Sequence, residues 1–203
     1  MKGVIEMSNG TSITGRTKNT DFDFYETPKW ATEKAVERML IDNIISKYDA
    51  VLEPCVGAGA ISDVLEIYGF ENLSKSDIQT ADYIKGNKGV DVYDIEDGVC
   101  DVVFTNPPYN LMTQKASQGG SLLNEFLRIS KHKVILLLNI FFLSSKERKE
   151  LLEKSHLRHV YIHSDRVTMY PFGEEKPQNG GTKMYAWFVW DKDYNGQPTL
   201  SWI

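Results

Sequence analysis

Apolar positions along the chain follow two periods, and the switch between them marks out the elements. Ala31, Ala35 and Met39, with Val36, Leu40 and Ile44 on an adjacent row, recur at helical spacing. Thr27-Pro28 ahead of them predicts a helix start, with Thr27 as N-cap and Pro28 at the first helical position. After Tyr48 the pattern becomes an alternation of strands and helices. It predicts strands over 50–53, 73–78, 90–93, 101–105 and 133–139, then two last strands over 159–163 and 184–190. Helices are predicted over 61–68, ended by Gly69, over 122–130, and from a Ser144/Glu147 capping box to about 154. The stretch KVILLLN, 133–139, is apolar on both faces, which places it at the centre of a sheet. Residues 1–20 are rich in Ser, Thr, Asn and Gly and carry little apolar period, so they read as a flexible arm before a single folded domain over 21–203. Repeated strand–helix units imply a doubly wound, mostly parallel α/β sheet of seven strands. In such sheets ligands bind beyond the carboxyl ends of the strands, and Glu53, the Gly57 turn, Asp77, Asp94 and Asn106 all fall at predicted strand ends.

Composition narrows the function classes. The 203 residues are enough for one domain with a full core, and 41% hydrophobic with 25% charged residues is a globular balance. The longest apolar run, 134–138, is strand-sized, so no membrane span is expected, and the N-terminus shows no secretion signal, which points to a cytoplasmic protein. Two cysteines and four histidines without a Cys-x-x-Cys pair argue against a disulfide framework or a structural zinc site. A net charge of −5 excludes nucleic-acid binding by bulk charge alone, while leaving room for a local basic patch.

Two segments carry chemistry. In Glu53-Pro54-Cys55-Val56-Gly57-Ala58-Gly59-Ala60, the glycines let backbone pass close to a ligand between strand and helix, and Asp77 follows about where an acid meets a ribose diol. The third glycine of the dinucleotide fingerprint is missing, and Glu53 stands where it repels a pyrophosphate, so a cationic or neutral nucleoside suits the turn better. The second segment is Asn106-Pro107-Pro108-Tyr109, directly after the fourth strand; average residue usage makes its chance occurrence about a one-in-a-thousand event. An exocyclic amine is a poor nucleophile because its lone pair is delocalised into the ring. The Asn106 side-chain oxygen and the Pro107 carbonyl are placed to accept its two protons, the prolines stiffen the turn, and Tyr109 offers a face for a flipped base.

With these motifs the chain resembles the S-adenosylmethionine-dependent DNA adenine-N6 methyltransferases, a resemblance spanning residues 25–190 and including the segment Tyr25-Glu26-Thr27-Pro28. The resemblance implies a Rossmann-like class I methyltransferase fold with an antiparallel last strand. It implies that Glu53, Pro54, Cys55, Gly57 and Gly59 line the methionine end of the cofactor, that Asp77 with Ile78 meets the ribose, and that Asp94 holds the adenine amine. Tyr25, Thr27 and Pro28 close over the cofactor, and Asn106, Pro107, Pro108 and Tyr109 form the catalytic turn, with Asn106 also touching the cofactor. The same turn also suits adenine in RNA, cytosine N4 or a protein glutamine amide, since each is a planar amine. A non-catalytic binding module is the rival from another class. Only the loops 110–120 and 171–182 are long enough to reach a substrate, so recognition is expected to be relaxed or supplied by a protein partner. His156, His159 and His163 read as surface histidines, or as members of a basic surface with Lys146, Arg148, Lys149, Arg158 and Arg166. Phe141, Phe142 and Leu143 are candidates for core packing or for the wall of a base pocket.

Overall fold

The computed structural model describes residues 25–113, 121–169, 173 and 183–203. The predicted arm and most of the two candidate substrate loops lie outside these residues. The described chain forms one eight-stranded sheet in the order β3-β2-β1-β4-β5-β7-β6-β8. Its strands are β1 (Val51–Glu53), β2 (Leu73–Asp77), β3 (Asn87–Lys88), β4 (Cys100–Thr105), β5 (Ser130–Asn139), β6 (Leu157–Ile162), β7 (Tyr185–Asp191) and β8 (Thr199–Trp202). Pairings are parallel except for β7, which lies antiparallel between β5 and β6. The doubly wound α/β prediction therefore holds, with one strand more than expected. The antiparallel strand is the seventh, and β8 returns parallel to β6 at the edge.

Period-two alternation splits the core into two layers. Val51, Val102, Phe104, Ile135, Leu137 and Trp187 face α1 (Lys29–Ile41) and α2 (Ala60–Ile67), where Ala31, Ala35, Met39, Val64 and Leu65 complete one cluster. Leu52, Val103, Val134, Leu136, Phe188 and Trp190 face the other way, onto Leu123, Phe126 and Ile129 of α3 (Leu122–Ile129) and onto α4 (Lys146–Lys154). Burying each such side chain contributes roughly 1.5–3 kcal/mol. Trp187 and Trp190 are fully buried, as their place on the last predicted strand suggested.

Four expectations change. Pro28 is extended (φ −59°, ψ 130°) and itself precedes the first helical residue, so Thr27 does not cap α1; its hydroxyl is engaged elsewhere. That helix stops at Ile41 because Asn43 turns left-handed (φ 54°), and Ile44 folds back with its amide on the Met39 carbonyl. The expected strand over 90–93 is a single 3-10 turn, Val92–Asp94, capped by the Asp91 carboxylate accepting from the Tyr93 amide; the short strand sits earlier, at β3. Before α4, the residue in front of the first helical position is Ser145 rather than Ser144.

Candidate active site

The strand order reverses between β1 and β4, and the candidate site residues gather around the carboxyl ends of those two strands. Gly57 (φ 49°) and Gly59 (φ 85°) both take left-handed conformations in the turn from β1 to α2. Asp77, at the end of β2, holds this turn: one carboxylate oxygen accepts from the Gly57 amide at 2.9 Å, the other from the Gln79 amide at 2.9 Å. The Lys85 amide closes the far side onto the Gly57 carbonyl at 3.0 Å.

Glu53 ends β1 and is 1% exposed. Burial pushes its carboxyl well above the usual range, an effect only partly offset by hydrogen bonds from Ser62. Its Oε2 atom has no hydrogen-bond partner among the described residues. Burial and the neighbouring Asp77 charge likewise push the Cys55 thiol up, so it is uncharged at neutral pH.

Opposite Glu53 stands Asn106. Its Nδ2 donates to Thr27 Oγ1 at 3.1 Å and lies 3.5 Å from the Tyr25 carbonyl oxygen. A carbonyl only accepts, so this contact fixes which end of the amide is nitrogen. The Asn106 oxygen is thereby turned to the other side, where the Tyr109 hydroxyl donates to it at 2.8 Å. Met169 Sδ lies 3.8 Å from both Asn106 Nδ2 and the Tyr109 hydroxyl, and Tyr185 sits behind Tyr109 with ring centroids 6.2 Å apart. Pro107 is buried and Pro108 exposed, so the turn is anchored at one proline and open at the other.

Tyr25, Thr27, Glu53, Cys55 and Asn106 line one narrow cleft with Val56, Ala60 and Ile61. Five predicted site residues from three distant segments therefore meet. Pro54, Gly57 and Gly59 are buried in the adjoining turn, Asp77 ties that turn to β2, and Pro28 begins the approach to α1. Ile78 is 49% exposed beyond β2. Asp94 is exposed on the 3-10 turn, whereas Asp91, which the sequence pattern did not single out, is half-buried and caps that turn. A larger groove of about 720 Å³, lined in part by Leu127, Glu150, Lys154 and Lys192, opens at the amino ends of the parallel strands, away from all these residues.

The histidines divide differently from the surface reading. His163 is 7% exposed, and its Nε2 accepts from Trp187 Nε1 at 3.1 Å. Burial, with a smaller contribution from Lys34, pushes its pKa down to about 4. His159 bridges the Thr199 and Ser201 hydroxyls of β8. Of the basic group, Lys149 pairs with Glu153 and Arg158 with Asp191, while Arg148 is spent on backbone carbonyls. Sequence reasoning missed Met169 and the Thr27–Asn106 link, and no local pattern signals either.

No protein-family model matches the chain, and no curated protein matches it. Solved structures do. The chain is similar to a candidate RNA methyltransferase from Pyrococcus horikoshii (TM-score 0.59, 16% identity, 83% of this chain and 86% of that one). It is also similar to the methyltransferase subunit of a type I restriction-modification system from Streptococcus thermophilus (TM-score 0.60, 14% identity, 89% of this chain). It spans 47% of that subunit's length. A third is the magnesium protoporphyrin IX methyltransferase of Synechocystis PCC 6803, solved with S-adenosylmethionine bound (TM-score 0.52, 11% identity, 80% of this chain and 79% of that one). At these identities the likeness establishes the Rossmann-like class I methyltransferase fold. Two of the three are named for unlike substrates, RNA and magnesium protoporphyrin IX, so the fold does not choose a substrate.

Proposed function

We propose that the chain transfers a methyl group from S-adenosylmethionine to the N6 amine of adenine in DNA, acting in the cytoplasm. The observation that carries this reading is the meeting of Glu53 and Asn106 in one cleft: a buried carboxylate with a free oxygen, facing an amide held by its nitrogen end. A buried unpaired carboxylate calls for a cation, and the ammonium of the cofactor's methionine part is one. The residues present thus fit the cofactor. Glu53 holds its methionine end, with the Pro54–Cys55 backbone and the Gly57 and Gly59 turn against it. Each Asp77 oxygen already accepts one amide and keeps a lone pair for a ribose hydroxyl. Ile78, exposed next to Asp77, covers the ring. For the adenine amine, Asp91 on the capped turn competes with the more exposed Asp94. The cleft encloses about 20 Å³, so a ligand of this size extends beyond its mouth along the Gly57 turn.

When bound, the cofactor supplies a methyl group activated on a sulfonium. The protein's part is to position and polarise the amine. Asn106 Oδ1 keeps one lone pair beyond its bond to Tyr109 and accepts one amine proton, while the Pro107 carbonyl accepts the other. Both hydrogen bonds strengthen as positive charge develops on nitrogen; at ~1.5–3 kcal/mol each they supply a few powers of ten in rate. Thr27 and the Tyr25 carbonyl keep the Asn106 amide from flipping, so they act as positioning residues. Tyr109 stacks on the base, and Pro28 fixes the strap that carries Tyr25 and Thr27.

The Pyrococcus neighbour, named for RNA, supports RNA in place of DNA as a second reading, with the same Asn106 turn acting on its adenine. The half-length match to the restriction subunit supports a protein partner for target recognition. The test is methyl transfer from labelled cofactor to duplex DNA, single-stranded DNA, RNA and protein, with products identified by mass spectrometry. N6-methyladenine in DNA is the expected product. Asn106→Ala is expected to lose at least about a hundredfold in turnover, consistent with the loss of one such hydrogen bond and the amide's geometry, while calorimetric cofactor affinity holds. Undiminished turnover in that variant overturns the mechanism, and label only in protein overturns the substrate.

A further inference from the structure

We propose that Phe141 is a substrate contact, stacking on a nucleobase beside the target, on a rim whose free cations follow the phosphates. This rests on the reading of DNA as substrate and adds the face by which the nucleic acid docks.

The turn that ends β5 is built to hold one aromatic ring in and the next one out. Asn139 Oδ1 accepts from the Phe141 amide at 3.0 Å and starts the 3-10 turn Ile140–Leu143. Phe142 goes inward, edge-on to Phe188 and Trp190 at 5.7 and 6.3 Å. Phe141 goes outward and is 64% exposed. Arg148 fixes the backbone between them: it donates to the carbonyls of Phe142 (2.8 Å), Phe141 (3.0 Å) and Ser144 (3.3 Å), and its guanidinium lies 5.1 Å from the Phe142 ring. A large apolar side chain is therefore presented to water on a turn locked from both sides. Such a side chain loses little conformational freedom when it makes a contact.

Phe141 is also connected to the catalytic turn. The Ile140 amide donates to the Met184 carbonyl at 2.9 Å, Met184 is 52% exposed, and the next residue, Tyr185, backs Tyr109. Exposed apolar groups thus run from Tyr109 through Met184 to Phe141.

Charge at this rim is less often paired than elsewhere. Away from it most cations are matched, Lys75 with Glu66, Lys85 with Asp63, Arg128 with Asp97 and Arg158 with Asp191, with Lys47 and Lys133 among the exceptions in the described residues. Among the described residues, Lys29, Lys146, Arg166 and Lys183 have no carboxylate partner within ion-pair distance, and all four are exposed. Three are close in sequence to a rim group, Lys146 to Leu143, Arg166 to Met169 and Lys183 to Met184, and Lys29 follows the cleft residue Thr27 by two positions. Unpaired cations around exposed aromatic rings, in a chain of net charge −5, match a strand that offers phosphates and flat bases together.

The test uses the full chain saturated with S-adenosylhomocysteine and a fluorescein-labelled mixed-sequence single-stranded DNA, read by anisotropy across a salt series. Phe141→Ala is expected to weaken binding about tenfold without changing the salt slope, and Phe141→Trp to restore it. Lys146→Ala with Lys183→Ala is expected to flatten the slope of log K against log salt by about 0.7 per lysine. Cofactor affinity and melting temperature stay unchanged in all of these variants. If Phe141→Ala binds DNA as well as the unaltered protein does, or Phe141→Trp fails to restore a loss, this inference falls and the DNA reading stands. If the unaltered protein binds cofactor but no nucleic acid, both fall and a protein amide becomes the substrate.

Discussion

At the scale of single residues, Glu53 shows how the proposed cofactor site would weaken the fold that carries it. Its folded-state pKa is raised by burial, so its contribution to stability is full below the unfolded value and is lost as pH rises through the folded one. A glutamine cannot ionise and escapes that loss. Glu53→Gln is therefore expected to melt higher than the unaltered protein at pH 8 without cofactor, with the gap closing toward pH 5, and to bind S-adenosylmethionine more weakly. Thermal melts at the two pH values and calorimetry check both halves. A variant with unchanged affinity removes Glu53 from the cofactor site. Asn106 works by the opposite logic: its nitrogen is satisfied by Thr27 and Tyr25, and its oxygen keeps one lone pair beyond the Tyr109 bond for the proposed substrate amine.

At the scale of elements, the turn between β1 and α2 is the most specified part of the chain. Gly59 has a φ of +85°, and a Cβ there meets Lys85 Cδ at 2.7 Å. Gly59→Ala is expected to cost about 1–2 kcal/mol from the left-handed backbone alone and to break the Lys85–Asp63 ion pair. A lower urea midpoint at unchanged m-value checks it. This turn was legible in sequence because glycines and a strand-end acid leave a local signature. So was β5, whose run of apolar residues needs both faces covered. The strand expected over 90–93 failed because Val92 is buried singly, on a turn, and one buried residue carries no period. β8 was missed because its four residues are mostly exposed, and the His159 contacts to Thr199 and Ser201 that help hold it join residues some forty positions apart. Thr27 misled for a related reason: an N-cap threonine and a threonine that holds another residue's amide look alike until the partner, 79 positions away, is placed. The cleft's membership was readable from motifs, and its hydrogen-bond wiring was not, since that depends on contacts between segments.

At the scale of the whole molecule, one buried histidine sets a pH limit. His163 accepts from Trp187 and has a pKa lowered to about 4, so between there and the ordinary value near 6.5 the unfolded chain binds the extra proton. Stability then falls as pH drops through that window, by up to about 3 kcal/mol if the full shift is expressed. Urea midpoints at pH 7 and pH 5 are expected to show a clear drop, and His163→Gln to show a smaller one; parallel curves place the pH dependence elsewhere. The sheet order carries another consequence, concerning the route by which the molecule forms. β7 lies between β5 and β6 yet follows both in the chain, and its pairing of Lys133 with Asp191 joins residues far apart in sequence. Until that strand threads into place, β5 and β6 have no partner between them, and the closure entropy of the intervening chain must be met before any of those contacts form. The edge of β5 that leads into Asn139 and the Phe141 turn thus stays unpaired until β7 has been made and docked. A nascent chain halted before Tyr185 presents an open apolar edge to every other protein around it.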